Sequence, residues 1–162
     1  STFVPKPFTP FQWCGQISKE EIIRRQNLLK KALNRKIKFS WHDPETSIIE
    51  AALSRGDRRV GRVIYNVWRQ GGRFDAWEEY MNYDRWICAF KEEGLDIEFY
   101  TERERDIDEV LPWDHVSVGV TKKFLKKELE KAKKGETTPN CMEKCTGCGA
   151  ALYEGGICVD KS

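Results

Sequence analysis

The chain has 162 residues, enough for one ordinary domain or two small ones with a real core, and is 40% hydrophobic and 33% charged with a formal net charge of +2. No apolar run is long enough to cross a membrane and nothing resembles a signal peptide, so a cytoplasmic location is expected. The near balance of acids and bases does not point to a nucleic-acid binder by overall charge, although charge can be locally uneven.

The opening STFVPKPFTPFQW reads as one strand that leaves its sheet among Pro5, Pro7 and Pro10 and becomes an extended arm. A lone strand needs a partner, either a hairpin mate elsewhere or a sheet upstream. Ser18 and Glu21 form an S-x-x-E capping box with Ile17 and Ile22 as its hydrophobic staple, which predicts a helix to about Asn34 with Ile22, Leu29 and Leu33 on one face. The alternation of Ile37, Phe39 and Trp41 predicts a short strand. Asp43 then caps a second helix with Pro44 at its first position, Ile48, Ile49, Ala52 and Leu53 as its buried stripe, and Gly56 as a left-handed stop.

A third helix starts at Asp57, turns Val60, Val63, Ile64, Val67 and Trp68 inward, and stops at Gly71 and Gly72. Asp75 and Asn82 cap a short helix and a longer one, the latter carrying Trp86, Ile87 and Phe90 and ending at Gly94. From Asp96 to Val120 the pattern predicts mostly loop, with Val116, Val118 and Val120 alternating like a strand. Thr121 caps the last helix, which ends at Gly135 and leads through the linker GETTPN to a cysteine-rich tail. The expected class is α+β and helix-dominated.

Of six cysteines, Cys14 and Cys88 stand alone while four crowd into the last 22 residues, a clustering that favours a metal site over disulfides. Cys145, Cys148 and Gly149 make a C-x-x-C-G knuckle whose backbone N–H groups can point at thiolates, and Cys141 and Cys158 complete a set of four ligands. Four thiolates suit zinc and an iron–sulfur cluster equally. His42, beside Asp43 at a strand-to-helix turn, is either a proton donor or substrate orienter, or a histidine hydrogen-bonded at a junction. His115, beside Trp113 and Asp114, carries the same two readings. Arg55, Arg58, Arg59 and Arg62 gather around a helix start, where they either grip a phosphate or RNA backbone or pair with nearby acids. There is no Ser/His/Asp signature, no nucleotide-binding glycine loop and no H-x-x-x-H.

Several stretches together, STFVPKPFTPFQW, EIIRRQNLLKKAL, KFSWHDPETS, LSRGDRRVG, LPWDH and the terminal cysteines, resemble the C-terminal part of an uncharacterised family of radical S-adenosylmethionine proteins with an N-terminal cobalamin-binding-type domain. The likeness covers nearly the whole chain. It implies that residues 1–17 are the end of the radical-enzyme barrel and its arm, 18–135 a helical C-terminal region and 136–162 a metal-binding tail. It further implies that S-adenosylmethionine, the catalytic 4Fe–4S cluster and cobalamin belong to upstream parts, so that the fragment alone is inactive. The triplet Cys141, Cys145 and Cys148 has the spacing of a radical-enzyme cluster motif, but only fourteen residues follow it, which matches the family's additional C-terminal motif instead. The family carries a fourth cysteine soon after the third; here Ala150 and Ala151 occupy that space and Cys158 comes late. The implied partner is the barrel of the same protein, with the substrate unnamed. A zinc-knuckle RNA-binding module and a purely structural C-terminal domain are the alternatives.

Overall fold

The structure is a computed structural model and describes residues 2–34 and 36–150. It divides into two compact units, one made of Ser1–Pro5 and Cys14–Arg105, the other of Lys6–Trp13 and Asp106–Ser162. The first holds α1 (Lys19–Ala32), α2 (Pro44–Arg55), α3 (Val60–Arg69), α4 (Tyr83–Glu92) and α5 (Ile97–Thr101); the second holds α6 (Lys122–Lys134).

Among the described residues there is no strand, so the α+β class is corrected to all-helical. Each alternating segment lacks a partner with which to exchange backbone hydrogen bonds and a face to bury. Ile37 and Trp41 are exposed, as are Val116 and Val118, and the described part of the proline-rich opening is irregular before Pro7 and turns after it, with no strand. Within the second unit, segment 6–13 folds on itself: the Gln12 N–H donates to the Thr9 carbonyl at 3.1 Å, and the Phe8 N–H donates to Gln12 Oε1 at 3.1 Å.

The helix signals act locally and are found where the sequence places them. Ser18, Asp43, Asn82 and Thr121 each accept an N–H of the first turn of α1, α2, α4 and α6, which satisfies donors that have no intrahelical partner. Asp96 does the same for α5, inside the stretch expected to be loop. Asp75 caps nothing; residues 75–80 form turns, and its carboxylate accepts the indole N–H of Trp86 at 3.1 Å. Gly56 ends α2 in an extended rather than left-handed conformation.

The core of the first unit joins Ile49 and Ala52 of α2, Val60, Val63 and Val67 of α3, Trp86, Ala89 and Phe90 of α4, and Tyr100 of α5. The valines at i, i+3 and i+7 define the inner stripe of α3, and they are small enough to let it approach α4 closely. Ile64 and Trp68, expected inside, lie outside that stripe and are 46% and 51% exposed; Leu53 of α2, also expected inside, is 41% exposed. On α1 only Ile22 is buried; Leu28 and Leu29 face solvent.

Candidate metal centre

The tail is positioned by α6. Gly135 ends the helix in the left-handed conformation, after which the Glu136 N–H bonds back to the Lys131 carbonyl at 2.9 Å. Lys131 donates to the Thr138 hydroxyl at 2.7 Å, and Thr138 donates to Glu128 at 2.6 Å. The Thr138 hydrogen bond, with Lys131 beside it, holds the Glu128 carboxyl below its ordinary value. The segment predicted as a linker is thus laid back on the helix it leaves. Asn140 then organises a tight turn by accepting the Met142 and Glu143 N–H groups at 2.8 and 3.2 Å, with Cys141 inside it.

At the far end of the return, the Cys148 carbonyl accepts the N–H of Thr121 at 2.8 Å, joining the knuckle to the residue that caps α6. Gly149, at φ 102°, passes so close that an added Cβ would lie 2.7 Å from the Gly119 carbonyl oxygen and from the Thr121 methyl. This turn aims the Ala150 N–H at Cys148 Sγ, 3.4 Å away. An amide donor at sulfur is the outer support that a metal-bound thiolate needs.

Cys148 is half-buried, and Cys141 and Cys145 are exposed. Among the described residues no three His, Cys, Asp or Glu side chains stand together as a metal-binding group. Cys158 lies outside the described residues. Cys14 and Cys88 lie elsewhere in the chain, Cys88 on α4.

His42 is exposed; its carbonyl, not its ring, is held, accepting Gln26 Nε2 at 3.0 Å. Next to it, Trp41 lies 5.4 Å from the Phe39 ring with Lys30 Nζ 3.7 Å from its own centroid, and both rings line a 260 Å³ groove with Ile22 and Leu29. His115 is also exposed. The arginine group separates. Arg55 is wholly buried and Arg59 is paired with Asp57 at 2.7 Å, whereas Arg58 and Arg62 are exposed with no ion pair among the described residues.

Sequence reading missed Gln12, which is buried and accepts the indole N–H of Trp113 at 2.7 Å beside a cavity of about 350 Å³. The two residues are 101 positions apart, so only the fold brings the FQW and LPW motifs together. No helix among the described residues is long and apolar enough to cross a membrane. No family model, curated protein or solved structure matches the chain.

Proposed function

We propose that this chain is the C-terminal module of a radical S-adenosylmethionine protein, working in the cytoplasm, and that its tail holds one metal centre distinct from the catalytic cluster. Cys141, Cys145 and Cys148 are the ligands, with Cys158 as the fourth. The observation that supports this reading is the Cys148 turn: its sulfur already accepts a backbone N–H, and its carbonyl is already tied to the start of α6. Three thiols within eight residues close on one ion with little loop entropy. Because Cys141 and Cys145 face solvent, the tail supplies its donors by drawing them toward Cys148 on binding, the coupling of metal uptake to local folding that small thiolate sites follow.

The donor set fits an iron–sulfur cluster, which the resemblance favours, and also zinc. A cluster held by these thiolates would supply electron-transfer or ligand-holding chemistry separate from that of the catalytic cluster. His42, with its carbonyl held and its side chain exposed, is proposed to donate a proton or orient substrate in the intact enzyme.

The test is anaerobic purification with metal analysis and visible absorption. Brown protein with iron and sulfide supports the cluster, and colourless protein with one zinc per chain supports the knuckle reading. Neither metal after reconstitution rejects the site. Cys145→Ser is expected to abolish metal binding and Cys88→Ser to leave it unchanged.

A further inference from the structure

Residues 58–74 carry five arginines and no acid in a chain whose charges otherwise nearly balance. The fold sorts them. With Val60, Val63 and Val67 turned inward, helical geometry puts Arg62, Tyr65 and Arg69 on the opposite face of α3, with Trp68 at its edge. Tyr65 is 56% and Trp68 51% exposed; their rings are near parallel, 23° apart with centroids 5.8 Å from each other. The Arg69 guanidinium stands 6.0 Å from the Tyr65 ring centre, and that of Arg73 is 4.9 Å from the Trp68 ring centre. Arg73 is fixed there by donating to the carbonyls of Trp68 and Gly72 at 2.6 and 2.7 Å.

The helix thus shows solvent a stacked aromatic pair bracketed by guanidinium groups. Elsewhere on the first unit, Arg24 and Arg25 share the carboxylate of Glu21, and Arg59 pairs with Asp57. Arg58, Arg62, Arg69 and Arg73 make no ion pair among the described residues. Glu92 and Glu93, at the end of α4, bond to Gln70 and Asn66, which flank the valine stripe on the side away from Trp68.

We infer that the outer face of α3 is a binding platform for single-stranded nucleic acid. Exposed aromatic planes offer stacking to unpaired bases, and unneutralised guanidinium groups beside them pair with the phosphates that join those bases. A duplex keeps its base faces stacked internally and leaves the rings unused. A membrane surface favours a helix with a continuous apolar stripe below a basic face, whereas here charge and ring alternate on one face. The inference does not rest on the metal tail, and binding is expected with or without metal.

Fluorescence anisotropy of labelled ten-nucleotide oligo(U) and oligo(dT), titrated with the full chain at low salt, tests it. Binding to either strand supports the platform, and a preference for oligo(U) identifies RNA as the source. Trp68→Ala is expected to weaken binding by roughly five- to a hundred-fold, as loss of one base–aromatic stack does, while Trp68→Phe keeps most of it. Arg62→Gln combined with Arg69→Gln is expected to flatten the slope of log K against log salt by about 1.4, two phosphate contacts on a single strand. Circular dichroism and melting of each variant check the fold, and Lys123→Gln on α6 is expected to bind like the parent. Absent binding at low salt overturns the inference, as does binding indifferent to Trp68 and the two arginines. It is equally overturned if these substitutions instead abolish adsorption to phosphatidylserine vesicles or self-association while the oligonucleotides bind neither form.

Discussion

Replacing Arg55 by Met should damage the first unit more than any other change of a charged residue. Arg55 is the last residue of α2 and is 0% exposed. Its guanidinium donates to the carbonyl of Cys14, to that of Thr101 at 3.2 Å and to that of Arg103 at 2.9 Å, and so ties the chain before α1 and the end of α5 to α2. Its own carbonyl accepts Arg105 Nη2 at 2.8 Å. A hydrogen bond from a charged donor contributes about 1.5–3 kcal/mol. Thr101 O keeps a second donor, the Gln16 N–H at 2.8 Å, so two of the three bonds carry most of the loss. Met fills the volume of the stem without donating, and the expected destabilisation is about 3–5 kcal/mol. With a urea dependence of roughly 2 kcal/mol per molar, the midpoint of unfolding by far-UV circular dichroism should fall by about 1.5–2.5 M. Arg55→Lys, with the charge but without the fork, should fall between. A Met variant whose midpoint moves by less than about 0.5 M would refute the reasoning, because the three bonds would then contribute no more than an exposed contact.

Gly15→Ala places a Cβ against the carbonyl oxygen of Glu102, and since that obstacle is backbone the variant should lose about 1–3 kcal/mol in the same assay. The hydrogen bond from Arg59 holds the Asp57 carboxyl below its ordinary value; that contribution is present at neutral pH and is lost as pH falls through the depressed folded value. Asp57→Asn should therefore melt earlier than the parent at pH 7 and show a smaller decline between neutral and strongly acidic pH in a series of thermal melts. Glu102, held above its ordinary value by burial and by Glu98 and Glu20, acts in the reverse sense, its stabilisation being lost as pH rises through its folded value. Accordingly Glu102→Gln should gain on the parent from pH 4 to pH 7, and a parallel pair of melting curves would count against it. His42→Ala removes an exposed ring whose backbone is held independently, so its melting temperature should match the parent's, with any loss confined to the activity of the intact enzyme.

What the sequence determined by itself was local. The caps Ser18, Asp43, Asn82 and Thr121 and the stop at Gly135 act on N–H and C=O groups within four residues, so their chemistry is complete in the pattern. The knuckle was legible for the same reason, since its donor and sulfur are two residues apart. What the tertiary structure decided depends on partners distant in the chain. Alternation at Ile37, Phe39 and Trp41 describes a strand only if another backbone arrives to pair with it, and among the described residues none does. A helix with apolar residues over more than half its circumference can bury only the arc its neighbour covers. Against α4 that arc was filled by Val60, Val63 and Val67, which left Ile64 and Trp68 outside. Arginine reads as surface until carbonyls from distant segments converge on it; Arg55 went inside because Cys14 and, at the end of α5, Thr101 and Arg103 supplied them, while Arg62 and Arg69, with no such acceptors, stayed in water.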